Sequence, residues 1–548
     1  MYRNKTARQH NFATVPRADI PRSKFRMRQT RKMAFNASQL IPIMIEEVLP
    51  GDTWQHTESI MARLATPIAP AVDDIDLETF YFYVPNRILW DGWEEFITGT
   101  DDTLLVPKLQ PFLGGNPVIA AGGLFDHMGL PPGTYTASIN VTAFPVWGYF
   151  TIHNEWFRDQ NLQEEWEWPT TATSNSQQFL KGVTGWQQEC LRVNKRHDYF
   201  TSSLPFAQKG DAVELPLGST APVIPDPSGG AFTATPTFVN FGAGTNPSVL
   251  RLTNATTDVT WQAAPNATSD AVWGITGLVT DLQNATGATI NALRLAFQTQ
   301  KLLERDARGG SRYVEQLLAH FGVRSPDYRL QRPEYLGGSK IPVTVNPIAQ
   351  TAAYDAEPAD AASALGNLGA EMHASGHKRT FTYAATEHGY IIGLCTVRAT
   401  PTYQQGMRRH WRRNTRLDYY FPVFAMLGEQ AVATQEIYQP LNDNPSNDTW
   451  GYQERWAEYR YTPNEITGVL RSTFAQPLDW WHYAEEFASE PALNDSFIQD
   501  KTQETLARSL ATAPSAQWSA QVIMDVMHDS IVGRLMPTYS VPGLIDHF

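Results

Sequence analysis

The densest group of chemically active side chains in this sequence is an arginine cluster between positions 408 and 416. It comprises Arg408, Arg409, Arg412, Arg413 and Arg416, with His410 and Trp411 between them. Guanidinium groups bind phosphates through paired hydrogen bonds, and an indole can stack on an unpaired base. The same residue types are equally suited to salt bridges with acidic neighbours in an assembly. A nucleic-acid contact through Arg408, Arg409, Arg412 and Arg413 and a protein interface therefore both stay open.

A second group of cations lies in the first 35 residues, which hold ten Lys or Arg against one acid, a net charge of +9. The whole chain carries −13, so the remainder carries −22. Pro16, Pro21 and the lack of lasting periodicity favour an extended arm over a helix. Phosphate contacts are predicted at Arg22, Lys24, Arg26, Arg28, Arg31 and Lys32, with Phe25 available for base stacking. The alternatives are a solvated terminus and an arm docked on an acidic neighbouring subunit.

Signatures of catalysis and of metal binding are missing from the sequence. It contains no Walker A loop, no G-x-G-x-x-G, no H-E-x-x-H and no G-x-S-x-G motif. His373 and His377 have four-residue spacing, but only Glu371 lies near enough in sequence to extend a zinc site. Adjacent acids such as Glu94 and Glu95 point about 100° apart on a helix, which is unsuited to a glycosidase dyad. We therefore expect no catalytic residue, no metal and no cofactor.

Composition indicates a large β-rich chain. Its 548 residues exceed what one hydrophobic core usually holds. Aromatic residues reach 11% and charged residues only 18%, which favours strands and extensive buried contacts. Cys190 and Cys395 are too few for a disulfide framework, so we expect folding in a reducing compartment. The basic start lacks the apolar core of a secretory leader, and no apolar run reaches the roughly 18 residues of a membrane span.

The elements expected to position these side chains are short strands joined by long loops. Strands are predicted at 75–84, 341–345, 380–383, 390–397, 417–426 and 452–461, and 352–376 is predicted to be a loop. Asp91 and Glu94 indicate a capping box for a short helix ending at Gly99. A longer helix is predicted over 147–168. Residues 217–288 contain a single basic residue, Arg251, and their weakly charged polar character indicates an inserted recognition loop.

A helical elbow is predicted around Gly309 and Gly310. A first helix carries Ile290, Leu293 and Phe297 on one face and ends at the glycines. Ser311 is expected to cap a second helix that ends at Gly322. The apolar stripe of this second helix comprises Val314, Leu317, Leu318 and Phe321. A non-helical segment with Arg324, Arg329, Arg332 and Glu334 is expected to follow. Taken alone, these residues indicate a packed structural corner.

The amino-acid sequence of this elbow resembles the central signature of the major capsid proteins of the Microviridae, in their gokushovirus branch. The matching motifs are RDARGGSRY and, after it, HFGVRSPDYRLQRPEYLGG. Further blocks of the resemblance follow in order along nearly the whole chain outside about 217 to 288: HNFATVPRADIPRS, EVLPGDTW, FYVPNRILWDGW, NEWFRDQNLQ, NKRHDYFTSSLPFAQKG, TEHGYIIGL, TYQQG, GYQERWAEYRY and YSVPGLIDHF.

This resemblance implies a mainly β fold, an eight-stranded antiparallel jelly-roll sandwich with long loop insertions and a few short helices. The expected organisation is a basic arm at 1–35, jelly-roll parts at 36–216 and 289–548, and a surface protrusion at 217–288. The implied function is a T=1 icosahedral shell around circular single-stranded DNA, assembled in the bacterial cytoplasm. Implied partners are identical copies, the genome, internal scaffolding, pilot and small DNA-binding virion proteins, and a host surface receptor. The competing interpretation is a carbohydrate-binding or carbohydrate-active β-sandwich.

Overall fold

The computed structural model describes most of the chain, in segments separated by gaps. The described residues are 21–101, 103–109, 117–137, 139–167, 189–211, 213, 290–352, 365–440, 448–511 and 520–539, with four short strands between 223 and 280. The chain divides into two compact units, one formed by 1–207 with 307–548 and the other by 208–306. The four-part organisation with boundaries at 35, 216 and 288 remains a prediction.

Strands dominate the described residues. They are β1 (Ser23–Phe35), β2 (Ile41–Val48), β3 (Thr53–Leu64), β4 (Ile75–Pro85), β5 (Val118–Ile119), β6 (Gly133–Thr134), β7 (Val223–Pro225), β8 (Phe238–Asn240), β9 (Ala271–Trp273), β10 (Leu278–Thr280), β11 (Glu334–Pro342), β12 (Thr344–Ala349), β13 (Leu368–Ala384), β14 (Gly389–Ala399), β15 (Glu429–Ala433), β16 (Thr449–Glu454) and β17 (Val522–Arg534). The predicted strands at 75–84, 380–383 and 390–397 are confirmed within β4, β13 and β14.

Helices are few, and most are short. They are α1 (Asn86–Leu89), α2 (Trp93–Thr98), α3 (Leu124–Met128), α4 (Phe144–Ile152), α5 (Ile290–Gly309), α6 (Tyr313–Phe321), α7 (Asp495–Ile498) and α8 (Thr502–Ser509). A π-helical turn, His153–Phe157, continues α4. Among the described residues, no helix is both long enough and apolar enough to cross a membrane.

Two antiparallel sheets form the larger unit. One has five strands in the order β1-β17-β3-β13-β12, and the other has four in the order β11-β4-β14-β2. The smaller unit contains the pairs β7-β10 and β8-β9. The expectation of a mainly β, antiparallel fold with few helices is confirmed. The two sheets hold nine strands rather than eight, and the eight-stranded jelly roll stays a prediction.

The core of the larger unit lies between its two sheets. In β3 every second residue is buried, from Trp54 to Leu64, because alternate side chains of a strand point to opposite faces. By contrast, β4 is buried along almost its whole length, because α4 packs on the side of its sheet that faces away from the core. Fully burying one large apolar side chain contributes about 1.5–3 kcal/mol relative to exposure. Trp54, Tyr81 and Trp147 are among the largest such groups.

Two buried polar clusters join the sheets across this core. Glu58 of β3 accepts hydrogen bonds from Thr79 Oγ1 at 3.0 Å, from Tyr81 Oη at 2.7 Å and from the hydroxyl of Ser339. Beside it, His56 of β3 and His528 of β17 stack with ring centroids 5.3 Å apart, and Nε2 of His528 lies 3.0 Å from the carbonyl of Ile43 in β2 of the other sheet. Because buried polar groups are costly unless paired, these bonds fix how the sheets face each other.

Several predicted elements are wrong in type or extent. Residues 417–426 contain two 3₁₀ turns, Arg416–Asp418 and Pro422–Phe424, in place of a strand. The strand predicted at 452–461 is β16 followed by a 3₁₀ turn at Ala457–Tyr459. The loop predicted over 352–376 overlaps β13, although 353–364 lie outside the described residues. The helix predicted over 147–168 begins earlier and ends within the π-helical turn.

Helix ends and the elbow also differ in detail from the predictions. Helix α2 ends at Gly99 as predicted, but its N-cap is Gly92 without a side-chain bond. Helix α6 begins after Arg312, not Ser311, and the backbone N–H of Arg312 donates to Glu315 at 3.1 Å. None of the apolar residues of α6 is buried, and Phe321 is 76% exposed. The second helix is therefore not the packed corner that its apolar stripe predicts.

Candidate nucleic-acid interface

Five of the six predicted phosphate-binding residues of the N-terminal region, all except Arg22, lie on β1, at the edge of the five-stranded sheet. The segment is extended, as expected, but from Ser23 onward it pairs with β17 along its whole length. Alternation along the strand turns Lys24, Arg26, Arg28 and Lys32 to the open face of the sheet, where each is exposed. We call these four side chains the β1 cation row. Lys24, Arg26 and Arg28 follow at intervals of about 6.6 Å, close to the separation of successive phosphates in an extended strand, and Lys32 lies one such interval beyond Thr30.

Acidic side chains of the neighbouring strand partly neutralise this row. Arg26 donates from Nε to Asp529 Oδ1 at 2.9 Å, and Arg28 lies 3.3 Å from the same carboxylate. These two guanidiniums hold the pKa of Asp529 well below its usual value. Lys32 pairs with Asp525 at 2.8 Å. Four cations against two carboxylates leave the row with a net charge of +2, and Lys24 is its end member.

Two of the predicted residues do not belong to the row. Arg31 points to the opposite side of β1, where it donates to the carbonyl of His127 at 2.8 Å, and burial lowers its pKa. Arg22 precedes the strand and donates to the carbonyl of Gly51 and the hydroxyl of Thr53. Both side chains thus form hydrogen bonds within the chain, and their contact with nucleic acid remains a prediction.

The second predicted group, Arg408 to Arg413, lies in a different part of the larger unit, around a 3₁₀ turn at Arg409–Arg412. Arg408 pairs with Glu465. Arg409 lies 3.4 Å from Glu436 and donates to the carbonyl of Ala431 at 2.9 Å. Burial raises the pKa of Glu436, and the charge of Arg412 is one of the weaker influences that oppose this rise.

Arg413 is more deeply buried than Arg408 and Arg409. Its side chain is 8% exposed, lies 3.3 Å from Glu458 and stacks 4.5 Å from the ring centre of Tyr459. Burial raises the pKa of the nearby Glu436, and the charge of Arg409 opposes that rise. Arg408, Arg409 and Arg413 thus form ion pairs with acidic residues of the same chain. This pairing favours a structural role for the cluster over phosphate binding.

These arginines border a cavity with a volume of about 900 Å³. Its wall mixes aromatic rings with paired charges, including Tyr199, Tyr403, Trp411, Tyr459 and Glu458. Positive and negative side chains are about equal in number along this wall, so it has no strong preference for anions. His373 and His377, by contrast, lie on β13, and no group of three His, Cys, Asp or Glu side chains in the described chain is arranged to hold a metal.

Polar side chains on the rest of the open sheet face escaped the sequence analysis. The outward row of β3 includes Gln55, Thr57 and Ser59, and Ser59 lies 2.6 Å from His377 of β13. Arg379 of β13 pairs in register with Thr57. The sequence does contain a pattern that predicts this outward row, because residues 53–64 alternate between the two faces once His56 and Glu58 are counted as buried.

Known proteins resemble this chain over nearly its whole length. A family described as "Capsid protein (F protein)" matches residues 13–544. The chain is 40% identical to the capsid protein VP1 of Bdellovibrio phage phiMH2K, with 98% of both chains covered. It is 37% identical to VP1 of Chlamydia phage 1 and 36% identical to VP1 of Spiroplasma virus 4, again over 98% of each chain.

These relatives are structural proteins of virions, so the chain is a capsid protein and not an enzyme. A capsid protein acts by assembling into a shell of many copies. With this match over nearly its full length, the chain belongs to the capsid protein (F protein) family, within the gokushovirus branch of the Microviridae.

Proposed function

We propose that copies of this chain form a small T=1 icosahedral shell around a circular single-stranded DNA genome, with the β1 cation row facing the DNA. The observation that carries the proposal is the register of β1, which gathers Lys24, Arg26, Arg28 and Lys32 on one exposed face. Repeated over many copies, a net +2 per row neutralises a substantial number of phosphates. Counterion release then makes the contact depend on salt.

Hydrogen-bonding groups beside the row extend this proposed contact across the sheet. Gln55, Thr57 and Ser59 on β3 and Arg379 on β13 offer donors to phosphates and base edges without demanding a particular sequence. A shell protein must hold every part of a genome, so a polar, weakly cationic platform suits it better than a tight anion site. The first 20 residues, which add further cations, lie outside the described residues.

We assign the cluster from Arg408 to Arg413 to contacts within and between protein subunits rather than to DNA. Its guanidiniums are already paired with Glu436, Glu458 and Glu465. A phosphate would have to displace these carboxylates, and the displaced acids would then repel it.

The remaining assignments follow the resemblance. Residues 217–288 are proposed to form a surface protrusion used in attachment to a host receptor, and they lie mostly outside the described residues. Internal scaffolding, pilot and small DNA-binding proteins are proposed as further partners, with assembly in the bacterial cytoplasm. The strongly acidic remainder of the chain is proposed to cover the outer surface and to keep particles apart.

The test removes positive charge from the β1 cation row but leaves Arg26 and its hydrogen bonds to Asp529 in place. In the triple variant Lys24→Gln, Arg28→Gln, Lys32→Gln, shells should still form but should contain less DNA, measured as the ratio of nucleic acid to protein in purified particles. A matched control removes three exposed charges elsewhere, Arg324→Gln, Arg329→Gln and Arg460→Gln. Unchanged DNA content in the first triple variant, or an equal loss in both, would contradict the proposal.

A further inference from the structure

The segment from Leu417 to Leu427 exposes an unusual amount of apolar surface. Val423 is 83% exposed and Met426 is 97% exposed. Four more large side chains of the segment are at least 45% exposed: Leu417, Tyr419, Tyr420 and Leu427. Isolated exposed apolar residues are ordinary, but a contiguous patch of this kind marks an interaction site. We call this segment the apolar loop.

Specific contacts hold the apolar loop in this exposed arrangement. The indole Nε1 of Trp456 donates to the carbonyl of Phe424 at 3.0 Å, and the ring of Tyr420 packs edge-on against Trp456 with centroids 5.5 Å apart. Trp456 itself has φ +68°, a left-handed conformation that is strained for a bulky residue. Such strain is retained where the surroundings enforce it. The loop is thus pre-organised, which lowers the entropy lost on docking.

Its composition indicates the chemistry of the partner. Residues 408–427 contain five arginines, one methionine and five aromatic residues, but no lysine and a single acid, Asp418. Aromatic residues, Met and Arg are enriched in the buried centres of protein interfaces, whereas Lys and acids are depleted there. Arg416 lies over the ring of Phe421 with its guanidinium 5.4 Å from the ring centre. An apolar partner surface with acidic groups at its border fits such a loop.

A second copy of the same chain meets this description. Outside its first 35 residues the chain carries a net charge of −22, so a neighbouring copy offers acidic groups to Arg416 of the loop border, whereas Arg408, Arg409 and Arg413 already pair within the chain. Capsid proteins assemble from many copies, and each copy must bury part of its surface against others. We propose that the apolar loop docks on a second copy of this chain and forms the buried centre of a subunit interface in the shell. This inference rests on the shell assembly proposed above and adds the surface that carries it.

Thiol labelling tests this proposal directly, because both native cysteines are buried: Cys190 is 5% exposed and Cys395 is 0% exposed. In the variant Met426→Cys, N-ethylmaleimide should label the dissociated subunit rapidly and the assembled particle at least tenfold more slowly. The unsubstituted protein, which should label slowly in both states, is the control. Equal labelling rates in subunit and particle would overturn the proposal.

The same labelling experiment distinguishes a protein partner of the apolar loop from a DNA partner. Slow labelling should persist in shells without DNA; slow labelling confined to filled particles would assign the loop to DNA and overturn the proposal. A second variant, Val423→Asp, should lower particle yield at least tenfold while the subunit keeps its unfolding midpoint, and an unchanged yield would also overturn it. If the unsubstituted protein forms no particles, the shell proposal fails; if particles form and the introduced thiol stays reactive, only the loop assignment fails.

Discussion

The imidazole Nε2 of His56 lies 3.3 Å from Nδ1 of His528 in the interior between the two sheets. On the far sides of the pair, Ser530 Oγ lies 2.8 Å from His56 Nδ1 and the carbonyl of Ile43 lies 3.0 Å from His528 Nε2. One set of neutral tautomers satisfies all three contacts: His528 donates to Ile43, His56 donates to His528, and Ser530 donates to His56. The pair therefore keeps its bonds only while both rings are uncharged.

Acid should destabilise the fold through this pair. Burial lowers the pKa of His56 to about 3 and that of His528 to about 4, below the value near 6.5 of an unfolded chain. Between those values the unfolded state binds more protons, so stability is full above about pH 6.5 and declines as the pH falls towards 4. We expect each histidine to contribute a loss of about 2–3 kcal/mol by pH 4.

Thermal unfolding at pH 7 and pH 4.5 measures this effect. In the variants His56→Gln and His528→Gln the midpoint should be lower at pH 7, but it should fall less on acidification than in the unsubstituted protein. His377→Gln, which changes a histidine on the open face of the sheet, is the control and should follow the unsubstituted protein. An identical pH dependence in all four proteins would contradict the assignment.

Removing the Glu58 carboxylate should destabilise the joint between the sheets. Glu58→Ala leaves the donors of Thr79, Tyr81 and Ser339 without their common acceptor, and each buried unsatisfied group costs about 1–3 kcal/mol. Denaturant unfolding should show a loss of at least about 3 kcal/mol. Ser59→Ala, one position along on the opposite face of β3, should change stability by less than about 1 kcal/mol. Equal losses of unfolding free energy in the two variants would show that the Glu58 cluster stabilises the fold no more than an exposed polar residue does.

The extent to which the sequence predicted this structure depended on how regular each segment is. The strand at 75–84 was predictable because it begins with alternating apolar and acidic residues and ends apolar on both faces, and 390–397 is almost continuously apolar. His56 and Glu58 were not predictable as core residues, because polar side chains at inward positions interrupt the apolar alternation of β3. Only the fold shows that partners on other strands satisfy them.

The candidate nucleic-acid interface was likewise only partly predictable from the sequence. The cationic character of 22–32 was evident from the sequence, but its division into an open row and an inward Arg31 follows from the pairing of β1 with β17. The aromatic residues of 417–426 predicted a strand, since strand propensity measures fit to a sheet surface. That segment instead forms 3₁₀ turns with Pro422 at the start of one, and its apolar side chains remain exposed.

A glycine of the TYQQG block should be intolerant of substitution. A Cβ at Gly406 would lie 2.0 Å from the carbonyl oxygen of Glu436, a backbone atom that cannot move alone. Gly406→Ala should therefore lower the free energy of unfolding by at least about 2 kcal/mol and loosen the wall of the large cavity. Gly369→Ala provides the matched control, because nothing lies within 4 Å of its Cβ position. Comparable stability of the two variants would contradict the close approach.

The central claim is that this chain works by assembling with copies of itself around DNA. Electron microscopy of the purified protein, combined with nuclease treatment of the same sample, tests it most directly. The account predicts small closed icosahedral shells that protect single-stranded DNA from digestion. A monodisperse single-copy protein, or shells whose DNA remains open to nuclease, would contradict it.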